Sequence, residues 1–163
     1  MKGIYLGAYR AHHPGYDIIY QDINGKRDLD GDMMDIDLSN YDYIIATPPC
    51  NYWSKANYRR DQSEYATKTA HLLPDIIEKL QTLGKPFIVE NVKNFKLMNE
   101  FYLFKHPIFH YFVGRHTYWT NIMFNPSATN QVDDKIQLIN SLNRQGGKNV
   151  HNVIELWLEV IHT

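Results

Sequence analysis

A thiol and a carboxyl group each follow a short apolar run of this chain. Residues 47–50 read Thr-Pro-Pro-Cys and come directly after Tyr43–Ala46, while residues 90–92 read Glu-Asn-Val and come directly after the apolar residues 86–89. A thiolate is a nucleophile, and a buried carboxyl group can hold or donate a proton. Because ligands bind beyond the carboxyl ends of strands in an open parallel sheet, we expect Cys50 and Glu90 to face one pocket.

Strands and helices alternate along the sequence. Apolar runs predict strands at 4–6, 16–20, 43–46 and 86–89, the content of 114–121 predicts another, and residues 31–35 are interpreted as a turn and strand fragment. Apolar residues recur at the helical period over 63–83, with Ser63 as the N-cap, Gly84 as the stop, and Pro74 kinking or dividing the helix. The chain closes with a helix whose apolar side starts at Val150. This alternation predicts an α/β fold, with a Rossmann-like, mostly parallel sheet flanked by helices.

Pro-Pro-Cys after one strand and Glu-Asn-Val after another, with a helical segment between them, resemble the DNA (cytosine-5)-methyltransferase family. The resemblance implies a truncated class I methyltransferase-like domain that transfers a methyl group from S-adenosylmethionine to carbon 5 of cytosine. It makes Cys50 the thiolate that adds to carbon 6, and Glu90 the group that holds the base edge. Burial at the end of the strand is expected to keep Glu90 protonated. DNA or a cytosine nucleotide is the implied substrate.

The resemblance also implies roles for residues outside these two segments. The implied cofactor-binding residues are Leu6, Gly7, Asp22, Asp32, Met33, Pro48, Asn149 and Val150. The implied substrate-binding residues are Pro49, Lys55, Arg59, Asn91 and Val92, with Asn91 expected to orient the loop rather than to react. Arg115 begins an Arg-containing strand element and is implied to be catalytic. Lys55 and Arg59 are also candidates to lower the pKa of the Cys50 thiol.

The sequence departs from the family pattern in two places. The first strand of the family runs into a glycine-rich loop and a helix, whereas only Gly7 is present here and residues 7–17 leave little room for both. Only residues 122–145 are available for target recognition. We therefore expect a short or single-stranded substrate, or a protein partner that supplies recognition. The adjacent His12 and His13 lack Cys or spaced partners, so no metal site is predicted.

Length and composition favour one domain that spans residues 1–163. The net charge is −1, so any contact with duplex DNA is expected to be local, because phosphate binding usually requires a basic surface. A lone cysteine is typical of a reducing compartment, and neither a signal peptide nor a membrane-spanning run is predicted. These features favour a cytoplasmic protein. The resemblance adds a bacterial or phage setting of the restriction-modification kind.

Two other functions remain open at this point. A catalytically degenerate relative that binds nucleic acid or a partner protein is favoured by the reduced glycine loop. Methylation of an exocyclic amine is the lesser alternative, because Thr47 and Cys50 occupy the positions that flank the two prolines, and neither fits that chemistry well. A covalent adduct between Cys50 and the base would separate carbon-5 methylation from both.

Overall fold

The computed structural model describes residues 1–54, 59–92, 108–126 and 147–163. The strands within these residues are β1 (Lys2–Leu6), β2 (Asp17–Gln21), β3 (Tyr43–Ala46), β4 (Phe87–Val92), β5 (Phe109–Val113) and β6 (His116–Thr120). The helices are α1 (Glu64–Thr69), α2 (Leu72–Leu83) and α3 (Gly147–Ile161), with 3-10 turns at Met33–Asp35 and Arg60–Gln62.

The six strands form one sheet in the order β2-β1-β3-β4-β6-β5. β1 pairs in parallel with β2 and β3, and β3 pairs in parallel with β4, whereas β6 runs antiparallel to β4 and β5. The Rossmann-like, mostly parallel sheet predicted from the sequence is confirmed. Ala46 lies opposite Val89 in the pairing of β3 with β4. The segments that follow these two strands therefore leave the sheet side by side.

Helices cover both faces of the sheet, because successive side chains of its buried central strands point to opposite faces and both sets are apolar. One face packs against α2, and the core residues there include Ile44, Val89 and Ile77. The other face packs against α3 through a cluster that includes Ile45 and Trp157. The two layers hold the strands in place, so the ends of β1, β3 and β4 form a rigid edge.

The helical pattern of residues 63–83 is divided in two, as Pro74 predicted. Ser63 caps α1 by accepting a hydrogen bond from the backbone N–H of Ala66 at 3.2 Å. Pro74 lies in the first turn of α2, where its missing N–H costs little. α2 ends at Gly84, which is left-handed with φ 76°.

The connection between β1 and β2 contains no helix. Residues 7–16, all of which the structure describes, run as turns and irregular chain. The guanidinium group of Arg27 donates hydrogen bonds to the carbonyl oxygens of Tyr9 at 2.6 Å and Ala11 at 2.8 Å. These bonds satisfy backbone groups that a helix would otherwise pair internally.

Residues 31–35 differ from their predicted strand fragment. They form the 3-10 turn Met33–Asp35, because Oδ1 of Asp32 accepts a hydrogen bond from the N–H of Met34 at 2.9 Å and starts a helical turn. Within the described residues, no helix is long and apolar enough to cross a membrane. The single-domain organisation of residues 1–163 stays a prediction.

Candidate active site

One cavity of about 1140 Å³ lies at the carboxyl ends of the parallel strands. Cys50, which follows β3, and Glu90, in the second half of strand β4, both line it. The convergence follows from the parallel pairing of β3 with β4, which brings residues distant in the sequence to the same edge. The structure therefore places the thiol and the carboxyl group in a shared cavity.

The loop that carries Cys50 is held on both sides. Thr47 donates through its hydroxyl group to the carbonyl oxygen of Gly7 at 2.7 Å, which ties the loop to the end of β1. After the prolines, the carbonyl of Cys50 accepts a hydrogen bond from the N–H of Ser54 at 2.8 Å. Trp53 is buried, and its Nε1 donates to the carbonyl of Ala70 at 3.2 Å. Cys50 itself is exposed, so the loop presents the thiol to the cavity.

The electrostatic surroundings of Cys50 favour the neutral thiol. The protein around the sulfur excludes enough water to raise the thiol's pKa, and the nearby Glu90 carboxylate raises the pKa further. The cysteine is exposed towards the cavity but enclosed on its other sides, which is why desolvation leads. Arg59, which was expected to lower this pKa, is not among the causes of the shift, and the contribution of Lys55 stays a prediction. Arg59 is exposed, and Lys55 lies outside the described residues.

Glu90 contacts one histidine and lies near two buried tyrosines. Its Oε1 lies 2.9 Å from Nδ1 of His116, and the two side chains are 13% and 19% exposed. Tyr118 lies directly opposite Glu90 across the β4–β6 pair. Burial raises the pKa values of Tyr5 and Tyr118, and the charge of Glu90 raises both further. The charge of this carboxyl group therefore affects the pKa values of several neighbouring side chains.

Asn91 connects the end of β4 to the loop of the nucleophile. It is 1% exposed, and its Nδ2 donates a hydrogen bond to the carbonyl of Pro48 at 3.2 Å. Its Oδ1 accepts one from the N–H of Val92 at 2.8 Å. Asn91 is not among the residues that line the cavity, and its contact with substrate stays a prediction. The side chain orients the loop, as the same residue was expected to do.

The match to known proteins agrees with this arrangement. The family described as C-5 cytosine-specific DNA methylase matches residues 6–109, which is more than half of the chain. The chain belongs to this family.

The chain is also similar to proteins named tRNA (cytosine(38)-C(5))-methyltransferase. Those of Homo sapiens and Rattus norvegicus are 26% identical over 90 residues, which is 55% of this chain and 22% of each relative. The Mus musculus protein has the same identity over the same length, which is 20% of that relative. The chain spans about a fifth of the length of these curated relatives.

The methyl donor of the cytosine-5 methylase family is S-adenosylmethionine, and the cavity fits such a group. Its volume of about 1140 Å³ reaches beyond the roughly 300–1,000 Å³ of common ligand pockets. Asp22 and Asp32 line it with Met33. Each carboxylate can accept about four hydrogen bonds. The bonds from the backbone therefore leave acceptor sites that ribose hydroxyls or an amine could use.

A buried glutamine connects the segments that carry Asp22 and Asp32 on one side of this cavity. Gln21 is 1% exposed; its Oε1 accepts from the N–H of Gly7 at 3.0 Å, and its Nε2 donates to the carbonyl of Gly31 at 2.5 Å. The ends of β1 and β2 are thereby fixed relative to the segment that carries Asp32. Asp22 accepts a hydrogen bond from the N–H of Tyr9 at 2.6 Å, which holds the helix-free loop against β2.

Most residues that the resemblance singled out line this cavity. They are Gly7, Asp22, Asp32, Met33, Pro48, Pro49, Cys50, Glu90, Val92 and Val150. Leu6 does not, because it is fully buried in the core on the α2 face of the sheet. Arg59 and Arg115 are exposed outside the lining, with Arg115 in the turn between β5 and β6. Asn149 lies in the first turn of α3, and nothing is described of its side chain.

Sequence reasoning missed several residues of this site, and His116 and Gln21 are two of them. His116 immediately follows the arginine that was singled out, and it is the histidine that reaches Glu90. Gln21 immediately precedes Asp22. The signal for His116 was its position within a predicted strand, but only the antiparallel pairing of β6 with β4 brings it to the acid.

Proposed function

We propose that this chain methylates carbon 5 of cytosine in a nucleic acid, with Cys50 as the covalent nucleophile and Glu90 as the group that holds and protonates the base. The observation that carries the proposal is the convergence of the thiol and the carboxyl group on one cavity. They are close enough for the charge of Glu90 to raise the pKa of Cys50. Membership of the cytosine-5 methylase family supports the same reaction.

Cys50 makes carbon 5 nucleophilic by adding to the neighbouring carbon. The sulfur forms a bond to carbon 6, and the electron pair of the 5,6 double bond moves to carbon 5 while ring nitrogen 3 accepts a proton from Glu90. S-adenosylmethionine, when bound, would supply the methyl group that carbon 5 attacks, and its sulfonium would leave as the thioether of S-adenosylhomocysteine. Transfer of the carbon-5 proton to water, with return of the nitrogen-3 proton to Glu90, then restores the double bond and expels the sulfur as thiolate. Cys50 is regenerated for the next turnover.

The protonation of Glu90 and of Cys50 are linked through their proximity. An ionised Glu90 opposes the thiolate, because two negative charges in one partly dehydrated cavity repel each other. A protonated Glu90 removes that repulsion and has the proton that ring nitrogen 3 requires. His116, 2.9 Å from Glu90, shares a hydrogen with this carboxyl group and holds it towards the cavity.

The cofactor is held by the residues that fit it. Asp22 takes the ribose hydroxyls, Asp32 takes the adenine amine, and Met33 packs against the adenine. The absence of a helix in residues 7–16 leaves the carboxylate of the methionine part without a helix N-terminus. Arg10 lines the cavity from this loop, with its guanidinium 5.2 Å from the centre of the Tyr9 ring. We assign the carboxylate to Arg10, because an arginine can bind it through two parallel hydrogen bonds.

Binding of the nucleic acid at this site is expected to need contacts from other parts of the protein or from a partner. The net charge of −1 provides little general attraction for a duplex. The family model is one of DNA methylases, and the names of the relatives specify tRNA, so both polymers are candidate substrates. A single-stranded cytosine avoids the cost of extracting a base from a duplex. A single-stranded or looped substrate therefore suits this chain best.

The decisive experiment is trapping of a covalent adduct. The protein is incubated with S-adenosylmethionine and with 5-fluorocytosine placed in duplex DNA, single-stranded DNA or tRNA. Because fluorine at carbon 5 cannot leave as a proton, the product stays attached to Cys50, and mass spectrometry of the digested protein locates it. Cys50→Ala should abolish the adduct while the cofactor still binds. Methyl transfer that persists in Cys50→Ala would contradict the mechanism.

A non-catalytic relative is the second candidate function, and two observations favour it. The β1–β2 connection lacks a helix, and the pKa of the Cys50 thiol is raised rather than lowered. Such a protein would bind nucleic acid without transferring a methyl group. Isothermal titration with S-adenosylmethionine separates the two, since binding is required only for the enzyme. Failure to bind at millimolar concentration, with nucleic-acid binding retained, would favour the second function. The cytoplasmic setting and the restriction-modification role stay predictions.

A further inference from the structure

Two histidines and one glutamate, residue types that can bind a metal ion, lie close together at the wall of the cavity. His13 belongs to the β1–β2 connection, while His151 and Glu155 lie four residues apart on α3. One ligand atom of each lies within 4.8 Å of the others. Oε1 of Glu155 is 2.7 Å from Nδ1 of His13 and 3.4 Å from Nε2 of His151. The three side chains thus join two segments that are far apart in the sequence.

We propose that His13, His151 and Glu155 bind a divalent transition-metal ion, for which Zn²⁺ is the candidate. Two imidazoles and one carboxylate form a ligand set that zinc uses when a fourth position stays open. Among divalent metals that accept imidazole ligands, Zn²⁺ binds a given site more tightly than Fe²⁺ or Mn²⁺. Mg²⁺ and Ca²⁺ prefer all-oxygen sites and are not expected to bind here.

The spacing of the ligand atoms suits zinc after a small rearrangement. Zinc–ligand bonds of about 2.0–2.1 Å put neighbouring tetrahedral ligands roughly 3.3 Å apart. The 3.4 Å between His151 and Glu155 already fits, and the 2.7 Å between His13 and Glu155 must lengthen when a metal replaces the shared proton. The rings of His13 and His151 are stacked, with centroids 4.4 Å apart. The His151 ring, 41% exposed, must tilt so that its plane passes through the metal.

His13 is in a suitable state to act as a ligand. It is 1% exposed. Its Nδ1, which would bind the metal, already faces Glu155, and its Nε2 is buried without a hydrogen-bond partner in the described part of the chain. Burial lowers the pKa of His13, although its hydrogen bond to Glu155 opposes the shift. The ring also packs on Tyr5, with centroids 5.8 Å apart, which holds one ligand in place before the metal arrives.

A second histidine–carboxylate pair on a helix allows the effect of the third ligand to be tested. His71 and Asp75 are also four residues apart, with Nδ1 of His71 2.8 Å from Oδ2 of Asp75. Within the described residues, only the His13 cluster brings together three groups that can hold a metal. The His71–Asp75 pair is therefore an internal control, with the same spacing on a helix and no third ligand from another segment.

Metal binding would fix the helix-free loop to α3. His12, His13, Val150 and His151 line the same cavity as the proposed cofactor residues. The metal would thus join two walls of the cavity, in addition to the histidine–carboxylate pair, the ring contacts and the apolar packing that already connect them. This site is independent of the proposed methyl transfer, since it contains neither Cys50 nor Glu90.

The test is direct binding of Zn²⁺ to the full chain. All variants contain Cys50→Ser, because the single thiol could otherwise bind zinc by itself. After treatment with a chelator and its removal, isothermal titration should give one Zn²⁺ per chain and a higher melting temperature with Zn²⁺ than with Mg²⁺. Co²⁺ should give the visible absorption of a four-coordinate site.

Matched variants locate the ligands. His151→Ala and Glu155→Gln should each raise the dissociation constant for Zn²⁺ by more than about tenfold. His71→Ala should leave it unchanged. Both ligand positions are partly exposed on α3, so these variants are expected to fold, and circular dichroism checks this. Stoichiometric Zn²⁺ binding that survives both ligand variants, or no binding at 100 micromolar Zn²⁺, would overturn the proposal.

Discussion

Nδ1 of His116 lies 2.9 Å from Oε1 of Glu90, and both side chains are largely buried at the rim of the cavity. The pair joins β6 to β4 at the point where the proposed base edge would bind. A histidine in this position restricts the carboxyl group to one orientation and shares a hydrogen with it. His116 is therefore a positioning residue for Glu90 in the proposed reaction.

Replacing His116 by Gln should lower kcat more than it changes KM. The glutamine amide can still form a hydrogen bond with Glu90, but unlike an imidazole it cannot take up or release a proton. Proton transfer from Glu90 to the base is therefore expected to be slower. Since general acid catalysis contributes about 10²–10⁴-fold, we expect kcat to fall by roughly tenfold or more. The pH profile of kcat should also change shape. His110→Gln, at an exposed position on β5, is the control and should leave kcat and its pH profile unaltered.

Replacing Glu90 by Gln should make the Cys50 thiol more reactive. The carboxylate contributes to the raised pKa of Cys50, so its removal should shift that pKa downwards and increase the thiolate fraction near neutral pH. The rate of alkylation by iodoacetamide, measured against pH, reports this change directly. In the unaltered protein the rate should rise with pH to a midpoint above the ordinary value for cysteine, and in Glu90→Gln the midpoint should be lower.

Asp75→Asn is the matched control for the thiol experiment, because it removes one carboxylate from an exposed site on α2. It should leave the alkylation profile unchanged. Equal shifts in Glu90→Gln and Asp75→Asn would mean that the net charge of the protein, rather than the nearby carboxylate, sets the thiol's pKa. The methyl transfer of Glu90→Gln should meanwhile be greatly reduced, since nitrogen 3 loses its proton donor.

Gly7→Ala should destabilise the protein more than Gly15→Ala. Gly7 has φ +68°, and a Cβ there would lie 2.7 Å from the carbonyl oxygen of Thr47. Gly15 has φ +93° with nothing within 4 Å of its Cβ position. Both changes carry the strain of a left-handed residue, about 1–2 kcal/mol. Only Gly7→Ala also forces β1 away from the loop of the nucleophile. Equal unfolding free energies in urea would disprove the close contact.

Asn91→Ala should weaken both stability and catalysis. The change leaves the carbonyl of Pro48 without its partner in a buried place, which costs about 1–3 kcal/mol. The loop that presents Cys50 then loses one of its attachments, so adduct formation should slow even under conditions where the protein is fully folded. Urea unfolding measures the first effect, and single-turnover trapping measures the second. Asn40→Ala, at an exposed position, should change neither.

Arg10→Ala should weaken binding of S-adenosylmethionine, because the proposed contact with the carboxylate is lost. The dissociation constant, measured by isothermal titration, is expected to rise by about tenfold or more, since a hydrogen bond to a charged group contributes about 1.5–3 kcal/mol. S-adenosylmethionine methyl ester, which lacks the carboxylate charge, should bind the unaltered protein and Arg10→Ala with similar affinity. If the variant weakens the ester as much as the parent compound, Arg10 does not contact the carboxylate.

The strands and helices that surround the site follow from local patterns in the sequence. β3 has the predicted bounds, Ser63 caps the predicted helix, and Pro74 marks its division, because each depends on neighbours within a few residues. The failure at residues 31–35 has the same origin. Asp32 prefers to cap a turn through its own side chain, and this local bond outweighs the apolar character of Met33 and Met34.

The sequence by itself determined which groups leave the strands, since Cys50 and Glu90 each follow an apolar run that can only be buried. It also determined that these runs form a sheet flanked by helices. The tertiary structure alone decided which distant residues meet. His116 reaches Glu90 because β6 pairs antiparallel to β4, and His13 reaches Glu155 because α3 packs on the face of β1. The sign of the pKa shift of Cys50 was decided in the same way, since it depends on burial and on a carboxylate forty positions away, and such distances do not appear in any local pattern.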